Sequence, residues 1–277
     1  MAINRFVPII WTSALMSSLK KSLVYADLCN TDYEGEIQSA GNTVKITSIS
    51  RPTINSYTRN SNINYEELTD AQRSLVVDQE KYWAVTVDDV DKAQAKADVV
   101  SEAMSEAAYA LADTIDQYIA ALYTQAQTAN RLGTVAVTNT DIAYTQIRLL
   151  KLRLDQANVP QEGRWLVCPP WYHSLLLENQ KFVSYMNSQT TEPLYNGQVG
   201  RALGFDIRVS NNAPLVTGDD YAVMAGTNRA ITFARQLTKT EAGRSEQRIG
   251  DWMRGIAVYG SKVIRPEGIA TMVASMT

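Results

Sequence analysis

The chain is poor in the side chains that carry most metal and nucleophilic chemistry: its 277 residues hold one histidine and two cysteines. A tetrahedral metal site draws on several His and Cys ligands, so most histidine-dependent centres are excluded and a single imidazole remains as a general base of that type. Cys29 and Cys168 cannot staple a disulfide-rich secreted scaffold, and they fit a reduced intracellular origin. An excess of charge of one sign is lacking too. The 26 Lys+Arg against 29 Asp+Glu leave a formal net charge of -3, which excludes a generally basic, phosphate-neutralising nucleic-acid binder. No apolar run approaches the roughly 20 residues that span a bilayer. The apolar stretch 6–16 is diluted by Pro8, Thr12 and Ser13 and followed by Lys20 and Lys21, unlike a signal peptide. The chain reads as soluble, with no cofactor and no membrane partner.

What is present is patterned secondary structure. Trp11, Leu15, Leu19 and Leu23 fall at helical spacing in a first segment, 1–40, that has little core of its own. Such a piece is either draped over a neighbour or docked on its own domain. Thr43-Val-Lys-Ile-Thr47 alternates as a half-buried strand, and further strand signals come at 75–77 and 83–87. The intervening 51–74 is polar and rich in Asn, Ser and Tyr, which suits a two-stranded arm projecting from the body; a surface loop is the alternative. An isolated hairpin is marginal in water, so an arm of this kind gains its order from a neighbouring subunit.

From 90 to 129 there is no Gly or Pro, and apolar residues recur at Ala97, Val100, Met104, Ala107, Ala108, Leu111, Ile115, Tyr118, Ile119, Leu122 and Ala126. This predicts one continuous helix, entered at Asp88 or Asp89 and closed at Gly133, about 60 Å long and lying across a sheet. Beyond it the pattern turns to α/β: a helix at 144–157, a buried strand at 164–168 stopped by Pro169 and Pro170, a helix at 171–179, and strands at 205–209, 221–225, 231–236, 249–263 and 269–274. Charges interleave between 229 and 254, where they serve either as exposed pairs of one chain or as contacts fixing register across a subunit boundary.

The candidate chemistry is thin. Cys168 and His173 stand in Cys-Pro-Pro-Trp-Tyr-His, but a nucleophile pair needs thiol and imidazole within hydrogen-bond reach and a group that orients the base. The proline pair separates them and no local signature joins them. Gly197, Gly200 and Gly204 match neither a dinucleotide nor a Walker spacing, and read as turn and close-packing glycines. The fold class is α+β, and the function is structural rather than enzymatic.

In this order the elements resemble the major capsid proteins of tailed bacteriophages, with their shell fold named after phage HK97. Four stretches carry the resemblance: Gly41-Asn-Thr-Val-Lys-Ile46, Val87-Asp-Asp-Val-Asp-Lys-Ala-Gln94, Arg164-Trp-Leu-Val-Cys-Pro169, and Gly197-Gln-Val-Gly200 through Gly204-Phe205 to Val209-Ser210-Asn211. The resemblance implies an N-terminal arm (1–40) and an extended loop (41–87). It also implies a peripheral domain with a long spine helix and hairpin (88–139 and 226–265) and an axial α/β domain (140–225 and 266–277). It further implies self-assembly as hexamers and pentamers into an icosahedral virion capsid around double-stranded DNA, built in the host cytoplasm with a portal and with separate scaffold or decoration proteins. Subunit contacts are expected at Trp11 in the arm, at Arg51, Arg59, Glu66, Glu67 and Arg73 on the loop, and at Arg244, Glu246, Arg248 and Arg254 on the hairpin. Some relatives cross-link through a loop lysine; none occurs between Lys45 and Lys81, which argues against that chemistry here. Some begin with a cleaved scaffolding segment; with Met1 directly before the arm, a separate scaffold or none is expected. A nanocompartment shell of the same fold is the alternative, and a hydrolase using Cys168 and His173 the remote one.

Overall fold

The computed structural model describes residues 24–32, 43–49, 53–56, 59, 62, 70–88, 99–179, 200–245 and 249–276. Its centre is a mixed seven-stranded sheet. The order runs from β4 (Arg131–Ala136) through β12 (Ile269–Ser275), β9 (Asp220–Thr227), β5 (Arg164–Cys168) and β7 (Phe205–Val209) to β6 (Arg201–Ala202), with β8 (Leu215–Thr217) also on β9. Beside it lies a three-stranded sheet in the order β10 (Ile231–Arg244), β11 (Gly250–Val263), β3 (Gln79–Asp88). A separate antiparallel pair joins β1 (Thr43–Ile49) to β2 (Asp70–Val76), in register from Thr43↔Val76 to Ile49↔Asp70.

The central sheet is covered on both faces, and the period-2 alternation of its strands divides their side chains between two cores. Trp165 and Val167 of β5, Met224 of β9 and Ile269 of β12 enter one core. Their neighbours Leu166, Cys168, Val223, Ala225, Ala270, Met272 and Ala274 enter the other. That second core is closed by α2 (Thr140–Gln156) and α3 (Pro170–Glu178). Asn139 caps α2 by accepting the Ile142 N–H at 2.8 Å. Ala143, Ile147, Leu150 and Leu154, at the predicted helical spacing, are fully buried. Burial of each of the three large side chains stabilises the fold by about 1.5–3 kcal/mol. Pro169 and Pro170 end β5 and start α3, where proline's fixed φ suits the first turn.

The first core is organised by α1 (Val99–Ala120), packed between the two sheets. Its expected stripe holds: Ala108, Leu111, Ile115 and Ile119 are buried, as are Leu122 and Ala126 just beyond the helix. The Tyr118 ring meets Tyr259 of β11 edge-on, centroids 5.5 Å apart. The expected length does not hold. The α-helix ends at Ala120, tightens to a 3₁₀ turn over Ala121–Gln125 and breaks at Ala126, whose backbone is extended. Arg131 causes the stop from outside. Its guanidinium donates to the Ala126 carbonyl at 2.9 and 2.7 Å and to the Thr124 carbonyl, taking carbonyls that a continuing helix would use. Gly133 therefore does not close a helix. It sits at φ 75° in the irregular part of β4, where the parallel register with β12 slips between Thr271 and Val273. Asp88 ends β3; the expected helix over 90–98 and the amphipathic segment 6–23 lie outside the described residues.

Candidate assembly surfaces

Three regions carry the residues expected to meet a neighbour. The first is the root of the β1–β2 pair. Leu75 and Val77 pack with Ala234 and Val258 in a small core of their own, fixing the base of the pair to the three-stranded sheet. The bend after β2 crosses β11 at Gly260, where an added Cβ would stand 2.4 Å from the Val76 carbonyl oxygen and 2.8 Å from Val77 Cα. Only glycine allows backbone to pass backbone so closely. Away from this root the described residues 53–56, 59 and 62 are all exposed, and Ile54 is 96% exposed. Arg59 is in this exposed group. Arg73 faces back to its own chain, its guanidinium 3.5 Å from the Val263 carbonyl. Arg51, Glu66 and Glu67 lie outside the described residues, as does Trp11.

The second region is the far end of the β10–β11 hairpin. Glu241 and Arg254 stand opposite each other in the ladder, and Arg254 donates to one Glu241 carboxylate oxygen at 2.9 and 2.6 Å. The guanidinium also lies over the Trp252 ring, 4.8 Å from its centroid, while the indole N–H donates to the Arg244 carbonyl at 3.2 Å. Trp252 in turn covers Gly243, its cross-strand partner. Of the four expected hairpin residues, the structure thus brings Arg254 and the Arg244 backbone into one intrachain cluster. Glu246 and Arg248 lie outside the described residues.

The third region lies in the N-terminal segment, where residues 24–32 dock on their own chain, one of the two expectations for 1–40. Residues 24–32 enter the body as a 3₁₀ turn, Ala26–Leu28, followed by a parallel bridge from Asn30 to Thr232 on β10. Tyr25, Ala26, Leu28 and Cys29 are buried in the core under α1. Asp116 of α1, 3% exposed, receives this turn. Its carboxylate accepts the Val24 N–H at 3.1 and 3.2 Å and the Tyr25 N–H at 3.1 Å. Burial raises its pKa to about 6, against the lowering influence of those bonds. The stripe of Ala112, Ile115, Ile119 and Ala120 encloses position 116, so an acid on the buried arc was the available signal.

Of the Cys168–His173 pair, the thiol is poorly placed to act as a nucleophile. Cys168 is fully buried between the sheet and the helices, its S–H directed at the Arg208 carbonyl at 3.8 Å, and burial pushes its pKa up to about 12. A thiol so held supplies almost no thiolate. His173 is partly exposed on α3, and burial lowers its pKa. Among the described residues no group of three or more His, Cys, Asp and Glu could hold a metal, and no helix is long and apolar enough to cross a membrane.

A doubly covered mixed sheet, a helix wedged between two sheets and a rooted two-stranded projection together define a shell-forming subunit of the HK97-like class. A family model described as phage capsid protein matches residues 72–272. The chain belongs to that phage capsid protein family, and it is a major capsid protein. Among solved structures, a chain of Mycobacterium phage Che8 is 29% identical over 90% of each chain, with a TM-score of 0.77. The capsid of cyanophage P-SCSP1u is 20% identical over 92% of this chain and 89% of that one, with a TM-score of 0.75. A virus-like particle from Pyrococcus furiosus is 12% identical over 96% and 99%, with a TM-score of 0.61. The last two share the fold alone. No curated protein matches the chain.

Proposed function

We propose that this major capsid protein assembles as hexamers and pentamers into an icosahedral shell enclosing double-stranded DNA, in the host cytoplasm, with a portal as partner and with or without separate scaffold or decoration proteins. The observation that carries the subunit-to-subunit part is the β1–β2 pair. Its root is locked to the body by Leu75, Val77 and Gly260, while the described residues 53–56, 59 and 62 are exposed. A surface such as Ile54 at 96% exposure is unfavourable in an isolated subunit and gains from a neighbour. In this reading 41–87 lies over an adjacent copy, and within the N-terminal segment 1–40 the residues before the docked turn, 1–23, supply an arm to another. The peripheral parts (88–139 and 226–265) and axial parts (140–225 and 266–277) meet their counterparts laterally and around the capsomer axis.

The near balance of acidic and basic residues suits a wall that lines DNA without gripping it, since tight nonspecific binding needs a large excess of cations. The nanocompartment reading is not favoured, because the family matched is that of phage capsids. Electron microscopy of the full chain, alone and with its scaffold, tests the function. Capsomer rings or closed particles are expected; a monodisperse monomer at high concentration under both conditions refutes it.

A further inference from the structure

We propose that Asp116 is the positioning residue of the N-terminal arm: by holding the N–H groups of Val24 and Tyr25 together, it fixes where and in which direction residues 1–23 leave the subunit. This rests on the reading that 1–23 reach a neighbouring copy.

A carboxylate in the middle of a buried helix face is an expensive choice, since an apolar side chain there would avoid the desolvation cost. What it gains is specific. Two consecutive backbone donors, Val24 and Tyr25, converge on one anion at the start of the 3₁₀ turn, an arrangement in which successive N–H groups cradle a negative charge. Here the anion comes from the same chain, 92 residues away from Val24.

The cradle is also placed first in line. Between it and the Asn30 bridge, where the Asn30 N–H donates to Ile231 at 2.8 Å and the Phe233 N–H to Asn30 at 2.9 Å, the segment is anchored by buried side chains. Any pull on residues 1–23 therefore meets Asp116 before it meets the Tyr25–Cys29 core or the β10 ladder. Val24 itself is only partly buried, so the carboxylate is the polar lock at the exit point.

The test uses full-length chains carrying Asp116→Ala, Asp116→Asn, Trp11→Ala and the Asp116→Ala/Trp11→Ala double, read by hydrogen exchange and by particle yield. In Asp116→Ala the amides of Val24 and Tyr25 should exchange about tenfold faster or more, as expected for losing a charge-assisted bond, while β5, β9 and β12 keep their protection. Asp116→Asn retains one acceptor oxygen and should fall between. Particle yield should drop in Asp116→Ala and in Trp11→Ala, and the double should be no worse than the worse single, because both act through one arm. Unchanged exchange at Val24 and Tyr25, or losses that multiply in the double while Trp11→Ala alone is defective, overturns the positioning role only. A Trp11→Ala chain that assembles like the parent overturns the arm reading itself, and the positioning role with it.

Discussion

Replacing Gly260 by alanine perturbs the arm root at one point. The new methyl would stand 2.4 Å from the Val76 carbonyl oxygen, 2.8 Å from Val77 Cα and 3.1 Å from the Val76 carbonyl carbon. A carbon and an oxygen rest at about 3.3 Å or more, so the bend after β2 must lift by close to 1 Å. Every atom in the way is backbone, so no rotamer change relieves it. Overpacking of this kind costs about 1–3 kcal/mol. The lift also loosens Leu75, fully buried in the small core with Val77, Ala234 and Val258. If half of its burial is lost, about 1 kcal/mol is added. A total of about 2–4 kcal/mol is within the usual 5–15 kcal/mol of a folded domain, so the body stays folded and the damage is local. Hydrogen exchange should show faster amides in β1 and β2 with α2 and β5 unaffected, and thermal unfolding should come earlier. Gly200→Ala is the control: nothing lies within 4 Å of its added Cβ, and its change should stay within about 0.5 kcal/mol. If Gly260→Ala matches that control in stability and in β2 exchange, the close crossing is not what fixes the arm.

Asp116 predicts a pH dependence of definite sign. Its folded pKa of about 6 exceeds the ordinary 3.8, so the folded chain holds the extra proton between those values and stability falls as pH rises through that window. The loss is on the order of 2–3 kcal/mol by pH 7, and Asp116→Asn should flatten it in urea titrations at pH 4.5 and 7. Tyr25 and Cys29, both near Asp116, are pushed further up by burial and do not titrate there, so a profile unchanged by Asp116→Asn counts against the assignment. The Cys168→Ala/His173→Ala double should still form particles, losing about 1–2 kcal/mol for the vacated thiol space; abolished assembly in a folded double variant would reopen a role for the pair. A double-mutant cycle on Glu241 and Arg254, read by subunit stability, should give a coupling below about 1 kcal/mol. A markedly larger value would contradict the exposed, single-chain character of that pair.

Periodicity made most of the body legible. The stripe of α1, the Leu150 face of α2 and the apolar run Trp165–Cys168 of β5 each stand on a local pattern that burial then satisfies. What escaped was decided at a distance. The segment 121–129 has good helix formers, and only Arg131, bonding back to Thr124 and Ala126, stops the helix. β4 is a strand because β12, some 140 residues later in the chain, offers it a parallel edge. Asp116 lies within the buried arc of α1, and the Val24 and Tyr25 N–H groups it holds come from 92 and 91 residues away in the chain. The charged hairpin was recognised as a unit, but the pairing of Arg254 with Glu241 depends on ladder register, which composition does not specify. Contacts between copies depend on a second chain and leave no periodic mark in the first.

The strand β5 has consequences for how this gene can vary. All five of its residues, Arg164–Cys168, are buried, and β7 and β9 occupy both of its edges. Replacing one apolar residue by another disturbs one core. Inserting or deleting a residue would turn Trp165 toward the space of Leu166 and every following side chain toward the wrong core. Changes of length in this lineage must therefore collect in turns such as 203–204 and 218–219, and the central strand should drift in spelling while its number of letters stays fixed.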